Sequence, residues 1–181
     1  MSRAVAVGIA GAVLLVGGLV HAAIASPSGT SVVISMQGTA GLHIEGTTHE
    51  LSLSEHDGEL SFQVPLSGVD TGIGLRNRHM RNYLDVAHFP RAELRVPRWS
   101  LTFPASGKAS ESDTPGILTI HGINRPCSVH YRAERTPSGE LRVRATTKID
   151  MRDFGVEVPS YLGVHVDPEV AIQVDFSLHD L

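Results

Sequence analysis

Cysteine is almost absent from this sequence: its 181 residues include one, Cys127. An intramolecular disulfide is therefore excluded, and the stability of the fold must come from packing. Because free cysteines are usually buried, we expect Cys127 to pack as a small apolar residue.

An excess of positive charge is also missing. The chain has 15 Lys and Arg against 19 Asp and Glu, which gives a formal net charge of −4. No block of like charge interrupts this balance, so no basic field is available to attract polyanions. We therefore expect no nucleic-acid partner.

Motifs of catalysis are lacking as well. The sequence has no GxSxG motif, no paired carboxylates and no Gly-rich phosphate loop in a βα context. Its ten histidines show neither HxxxH nor HExxH spacing. We predict no enzyme, no catalytic residue, no cofactor and no metal site. A metal site assembled from distant histidines remains an alternative, with His121 and His130 on facing strands of one predicted hairpin.

The first 25 residues have the features of a secretory signal peptide. An apolar run from Ala4 to Val20 follows one arginine, and small residues after it suit cleavage behind Ala25. A cut after Ala22 and retention as an uncleaved anchor are the alternatives. Cleavage would leave residues 26–181 as one domain without a stable membrane span, in the periplasm of a bacterium or secreted from it.

Apolar and polar residues alternate through the rest of the chain. In Glu59–Leu66 every second residue is apolar, which is typical of a strand that buries one face. Nine segments have strand character, and they predict a fold of about eight strands. They are Val32–Gln37, Leu42–Gly46, Glu50–Ser54, Glu59–Leu66, Ala92–Phe103, Gly116–His121, Cys127–Ala133, Leu141–Ile149 and Val170–Leu178.

Two local signals refine this pattern. Pro97 lies inside Ala92–Phe103 and predicts an edge strand or a bulge there, because proline cannot donate to the ladder. The residues GINRP, at positions 122–126, predict a turn that joins Gly116–His121 and Cys127–Ala133 into a hairpin.

Strands with one apolar face and no long amphipathic helix to cover them must bury those faces against each other. An all-β antiparallel barrel or a two-sheet sandwich satisfies this need. Aromatic residues make up 5% of the chain, and the expected inward positions hold mostly Val, Leu, Ile, Ala and Thr. An eight-stranded barrel of this composition favours an underfilled apolar interior that holds one guest. A solid packed core is the alternative.

Three stretches, in this order, resemble the YceI-like polyisoprenoid-binding family. They are TGIGLRNRHMRNYLDVAHFPRAEL at 71–94, GILTIHGINRPCSVHY at 116–131 and IDMRDFGV at 149–156. The resemblance covers about Gly46 to Leu181. It implies a single lipocalin-like antiparallel barrel whose apolar tunnel holds an isoprenoid, a quinone or a related amphiphilic lipid.

The long connection Leu75–Leu94 is predicted to contain a short helix. Met80 and Leu84 stand at i and i+4, so one helical turn points both toward the barrel. Pro90 is expected to stop any helix at Phe89. The resemblance implies that apolar residues of this connection line the lipid path, whereas ion pairs of Arg76, Arg81 and Asp85 that merely anchor the loop are the alternative.

Twelve residues are predicted from alternation and resemblance to bind the ligand. The apolar lining is predicted to be Phe62, Val64, Leu75, Met80, Leu84, Phe89, Ile120, Tyr131 and Phe154. The residues nearer the lipid head group are predicted to be Arg78, His79 and Arg81.

The sequence thus predicts an exported, non-enzymatic binding protein for an amphiphilic lipid. A structural or stress-response envelope protein without a ligand is the first alternative, and a metal-dependent lipocalin-like enzyme is the second. The sequence leaves open the oligomeric state and the identity of the lipid.

Overall fold

The computed structural model describes residues 27–161 and 164–179, so the predicted signal peptide lies outside the described residues. Within these described residues, ten strands and one α-helix build the fold, with short 3-10 turns between some of them. The strands are β1 Ser28–Gly38, β2 His43–Thr48, β3 Ser52–His56, β4 Glu59–Pro65, β5 Arg91–Pro97, β6 Lys108–Ile120, β7 Ile123–Arg135, β8 Leu141–Asp150, β9 Ser160–Tyr161 and β10 Val164–Leu178. The helix is α1 Gly74–Tyr83.

All strand pairs are antiparallel, and nine strands follow one another in the order β2-β1-β10-β8-β7-β6-β5-β4-β3, with β9 paired to β10 alone. The sheet curls around an apolar interior, as predicted for an all-β antiparallel barrel. No helix in residues 27–161 and 164–179 is long and apolar enough to cross a membrane.

The chain that leaves β4 is bridged to β2, which stands at one end of the sheet. Thr47 at the end of β2 exchanges two backbone hydrogen bonds with Asp70, each with an N···O distance of 2.8 Å. Leu66 and Val69, which belong to this segment, are buried. A side chain at Gly46 would bring its Cβ within 2.9 Å of Val69 Cγ1, so glycine permits the close approach. The segment Leu66–Asp70 therefore closes the barrel wall.

Inward and outward residues alternate along the strands as predicted. In β8, Leu141, Val143 and Ala145 belong to the apolar interior. Between them, Arg142 and Arg144 are exposed and form ion pairs on the outer surface. The period of two that strand geometry imposes thus separates core from surface.

The apolar core consists of two clusters. One is built around Leu53, Tyr131 and Phe176, and the other around Phe154, Val166 and Val170. Side chains of both clusters line one interior cavity.

Pro97 ends a strand instead of bending one. The predicted strand Ala92–Phe103 stops at Pro97, where β5 ends, and a 3-10 turn Arg98–Ser100 follows. Proline lacks the N–H that would continue the ladder, so the chain leaves the sheet there. The next strand begins earlier than predicted, at Lys108, and reaches Ile120.

The predicted hairpin of β6 and β7 is confirmed, but its turn lies at His121 and Gly122. Both residues have positive φ, 52° and 73°, as a two-residue turn of the I′ type requires. Most of the predicted turn GINRP is therefore part of β7. His130 lies on β7 and pairs with Asp113 of β6, whereas His121 lies in the turn and not on the facing strand where it was predicted.

Candidate functional site

A cavity of about 970 Å³ occupies the interior between the two core clusters. Each of the nine strands of the main sheet contributes to its wall. The wall is made almost entirely of aliphatic and aromatic side chains, with threonines as the commonest polar members. This volume lies in the range of cavities that enclose small molecules.

The cavity exists because the inward residues are too small to fill the barrel. Ala133 and Ala145 face inward on neighbouring strands, and Gly46 contributes no side chain at all. Larger inward residues such as Ile34 and Phe62 remain only partly buried, since one side of each faces the void. The underfilled interior predicted from composition is confirmed, and the alternative of a solid core is wrong.

Tyr131 closes one region of the cavity wall and is 5% exposed. Its hydroxyl accepts a hydrogen bond of 2.7 Å from the backbone N–H of Thr102, so the buried oxygen is satisfied without a ligand. Nearby, the rings of Phe62 and Phe176 pack at a centroid distance of 5.9 Å. The two rings give this region of the wall an apolar surface and bring no polar group that needs a hydrogen-bond partner.

Helix α1 lies against the cavity near the end where β4 stops and β5 starts. Asn77 holds its first turn in place. The Oδ1 atom of Asn77 accepts hydrogen bonds from the Thr71 backbone N–H (2.8 Å) and Oγ1 (2.6 Å), while its Nδ2 donates to Asp70 (2.7 Å). The segment that closes the barrel wall is therefore tied directly to the helix.

The helix ends at Tyr83, six residues before the predicted limit at Phe89. Asp85 adopts a left-handed conformation with φ 45°, and the Val86 N–H bonds the Arg81 carbonyl at 3.0 Å. These are the features of a Schellman termination, which here uses aspartate in place of glycine. The local αL residue therefore ends the helix before Pro90 can do so.

Nine of the twelve predicted ligand-binding residues line the cavity. Those nine are Phe62, Val64, Leu75, His79, Met80, Leu84, Ile120, Tyr131 and Phe154. Met80 and Leu84 share the cavity side of α1, as their i, i+4 spacing predicts. The structure thus brings these residues from strands, helix and turn to one wall.

The other three predicted residues lie away from the cavity wall. Arg78 is exposed on the outer side of α1. Arg81 donates a hydrogen bond of 2.9 Å to the Ser67 carbonyl, which anchors the connection through the backbone and not through the ion pair of the anchoring alternative. Phe89 packs edge-on against His121 at 5.0 Å and covers the hairpin turn instead.

The model of the YceI-like domain family matches residues 24–178 of the sequence. The chain belongs to the YceI-like domain family. No curated protein matches the sequence.

Solved structures share the fold of this YceI-like domain at low sequence identity. A polyisoprenoid binding domain from Saccharophagus degradans, implicated in plant cell wall breakdown, has a TM-score of 0.71 and 19% identity, and the match covers 88% of this chain and 100% of that one. BcnA of Burkholderia cenocepacia has a TM-score of 0.61 and 17% identity over 81% of this chain and 96% of its own. The YCEI protein of Campylobacter jejuni reaches 0.55 and 13% over 76% and 85%.

Several residues that line the cavity of the YceI-like domain were not among the twelve predicted ligand-binding residues. Ile34, Met36 and Ile44 belong to β1 and β2, and their alternation within the predicted strands was a sufficient signal. Arg76 lines the cavity too, because it stands one helical turn before Met80. The sequence did not predict this position of Arg76, since a charged arginine is expected on the solvent side of a helix.

Few groups at the cavity carry charge. They are Arg76 and His79 of α1, Glu93 of β5 and Glu157 of the loop before β9. The pKa of Asp70, behind the helix, is lowered by the hydrogen bond from Asn77 and by the backbone N–H of Gly72. The apolar interior and its few charged neighbours suit a molecule with a long apolar part and a polar end.

Metal ligands are not gathered in this domain: within residues 27–161 and 164–179 no three His, Cys, Asp or Glu side chains stand close enough to hold an ion. Cys127 is partly buried and packs against the cluster around Phe154, as predicted. Burial raises the pKa of its thiol above the ordinary value.

Proposed function

We propose that this YceI-like domain binds a polyisoprenoid or a similar amphiphilic lipid, such as an isoprenoid quinone. The apolar chain of the lipid lies in the cavity, and its polar head lies at the margin near Arg76 and His79. The observation that carries the proposal is the apolar cavity of about 970 Å³ inside the barrel. The fold shared with a polyisoprenoid binding domain supports the same conclusion.

Burial of the chain supplies the binding energy. Each methylene transferred from water to an apolar site contributes roughly 0.8 kcal/mol, so several isoprene units bind well without strong polar contacts. A wall of aliphatic residues distinguishes one chain from another only by length and bulk. We therefore infer a carrier with broad specificity and no chemical step of its own.

We also propose that the protein is exported to the periplasm or secreted. The signal-like composition of residues 1–25 supports this proposal. The mature chain then begins near Ser26, and the intact mass of protein recovered from the envelope fraction measures this directly. A full-length species in the cytoplasm would refute export.

Native mass spectrometry of the purified protein, followed by organic extraction, tests lipid binding. We expect one lipid per chain, with an isoprenoid or related acyl chain in the extract. Met80→Glu places a carboxylate in the apolar wall and should abolish the bound species, because a buried charge without a partner is costly. Arg132→Glu, on the outer surface of β7, should keep it. A protein that purifies and extracts without lipid, or equal lipid in both variants, would contradict the proposal.

A further inference from the structure

Three large apolar side chains remain exposed beside α1. Ile73 is 49% exposed, Leu75 58% and Tyr83 37%, yet all three line the cavity. Residues that belong to a cavity wall and also reach solvent must stand where the cavity opens. We call Ile73, Leu75 and Tyr83 the portal rim. Isolated apolar residues on a surface are ordinary, but a group around the opening of an apolar cavity marks a site of contact.

Positive charge is concentrated on the same helix. The sequence of α1, GLRNRHMRNY, contains three arginines and one histidine and no acidic residue. The whole chain has a formal net charge of −4. The helix is therefore a local basic site on a protein that is acidic overall, and general solubility does not require such a site.

Acidic residues near the helix leave this charge largely uncompensated. Asp70 accepts the side-chain hydrogen bond of Asn77 at 2.7 Å, and Asp85 pairs with His88 at 2.8 Å. Glu93, which accepts hydrogen bonds from Ser61 and Gln63, and Glu157 of the loop before β9 also line the cavity. In residues 27–161 and 164–179 no ion pair joins an arginine of α1 to a carboxylate within 4.0 Å.

We propose that the portal rim and α1 dock on the surface of an anionic phospholipid bilayer. The rim inserts at the level of the acyl chains while Arg78, on the outer side of α1, contacts the phosphates, which is how basic amphipathic helices lie in a membrane interface. Cargo then passes between bilayer and cavity without crossing water, a step that rests on the proposed lipid binding. Three apolar residues and a few arginines make a weak and reversible contact, as a carrier that leaves the membrane again requires.

Vesicle flotation with and without phosphatidylglycerol in phosphatidylcholine tests the docking. We expect the protein to float with the anionic vesicles, to stay behind with pure phosphatidylcholine, and to be released by high salt. Arg78→Gln should weaken the partition about fivefold. Lys108→Gln removes one positive charge at the start of β6, at the far end of the barrel, and should leave the partition unchanged. No binding to anionic vesicles, or equal loss in both variants, would overturn the proposal.

Tryptophan fluorescence shows which end of the barrel contacts the bilayer. The single tryptophan, Trp99, is 83% exposed and follows β5 at the end opposite α1. Its emission should not change on anionic vesicles, whereas Leu75→Trp combined with Trp99→Phe should shift to shorter wavelength. A shift in the emission of Trp99 alone would place the membrane contact at the end of the barrel opposite α1 and refute the proposal.

Sedimentation velocity tests whether the portal rim binds a second copy of the chain. A dimer that Leu75→Ser dissociates, without vesicle binding, would assign the rim to that second copy and refute the docking on a bilayer.

The experiments distinguish a failure of the proposed lipid binding from a failure of the proposed membrane docking. Arg78 does not line the cavity, so Arg78→Gln should carry as much extracted lipid as the wild type. A protein that floats with anionic vesicles but contains no lipid would refute the cargo and retain the docking. A protein that contains lipid but ignores vesicles would refute the docking alone.

Discussion

Gly122, in the turn between β6 and β7, has two reasons to be glycine. Its φ of +73° is a conformation that other residues adopt only at a cost of about 1–2 kcal/mol. A Cβ at this position would also lie 2.5 Å from Cε1 of Phe89. The backbone requirement was predictable from the sequence, but the contact with Phe89, 33 residues earlier in the chain, was not.

Replacement of Gly122 by valine should therefore destabilise the protein strongly. Strain of the turn and displacement of Phe89 add to each other, and overpacking alone costs typically 1–3 kcal/mol. Thermal unfolding should show a melting temperature lower by several degrees, at about 2–4 °C per kcal/mol. Gly139→Val is the matched control, because Gly139 has φ +93° and open space around it. Equal melting temperatures for the two variants would contradict the role of Phe89.

His130 on the outer face of β7 is a residue whose charge depends on pH near neutrality. Its Nδ1 lies 3.0 Å from Asp113 Oδ1 and its Nε2 lies 3.1 Å from Glu111 Oε1. The hydrogen bond to Asp113, opposed in part by desolvation and aided by Glu111, raises the pKa of His130 above its ordinary value. The charged imidazole is therefore held by two carboxylates.

Because the pKa of His130 is higher in the folded state than in the unfolded state, the free energy of unfolding depends on pH. A raised pKa in the folded state stabilises the protein fully below the unfolded-state value of about 6.5, and this stabilisation is lost as pH rises through the folded-state pKa. The difference in melting temperature between wild type and His130→Gln should thus shrink as pH rises above about 6.5. A difference that stays constant across that range would show that His130 does not titrate against these carboxylates.

At the scale of elements, the connection between β4 and β5 performs three tasks in succession. Leu66–Asp70 closes the wall beside β2, α1 borders the opening of the cavity, and the residues after Asp85 lead back to β5. The i, i+4 pattern of Met80 and Leu84 predicted the helix and the side it presents. The wall closure was not predictable, because it depends on one bridge between Thr47 and Asp70 and not on a periodic pattern.

Asn77 should be the residue that couples the wall segment to α1. In Asn77→Ala the Thr71 N–H loses its acceptor and Asp70 loses its side-chain donor. Amide exchange at Thr71 should accelerate, and the pKa of Asp70 should rise toward the ordinary aspartate value, both measurable by NMR. Asn82→Ala, at an exposed position of the same helix, is the control. Unchanged exchange and an unchanged pKa in Asn77→Ala would contradict the coupling.

The alternation of single strands predicted most of the sheet, because period two is a local property. The strands deviate from the prediction in two places, and both deviations have local causes that are visible in the sequence. Pro97 ended β5 instead of bending it, and the turn formed at His121 and Gly122 instead of within GINRP. At Pro97 the strand ends because proline has no N–H for the ladder, and at His121 and Gly122 two residues with positive φ are enough to complete the turn.

For the whole molecule, composition predicted an open apolar interior but not its size or its ends. Few aromatic residues and many small inward residues leave space in any barrel of this strand number. Of the rim residues Ile73, Leu75 and Tyr83, only Leu75 was predicted to line the cavity, and none was predicted to be exposed. Arg76 shows the same limit, since its charge made it look like a surface residue.

The central claim is that lipid occupies the interior of the barrel, and filling that interior tests it most directly. Ala145 faces the cavity between Tyr131 and Val174, so Ala145→Trp should occupy the space that the chain of the lipid needs. Arg144→Trp places the same side chain on the outer face of the same strand. Lipid per mole of folded protein, measured by extraction and mass spectrometry, should be lost in Ala145→Trp and retained in Arg144→Trp. Lipid retained at wild-type level in a folded Ala145→Trp protein would show that the cavity is not the binding site.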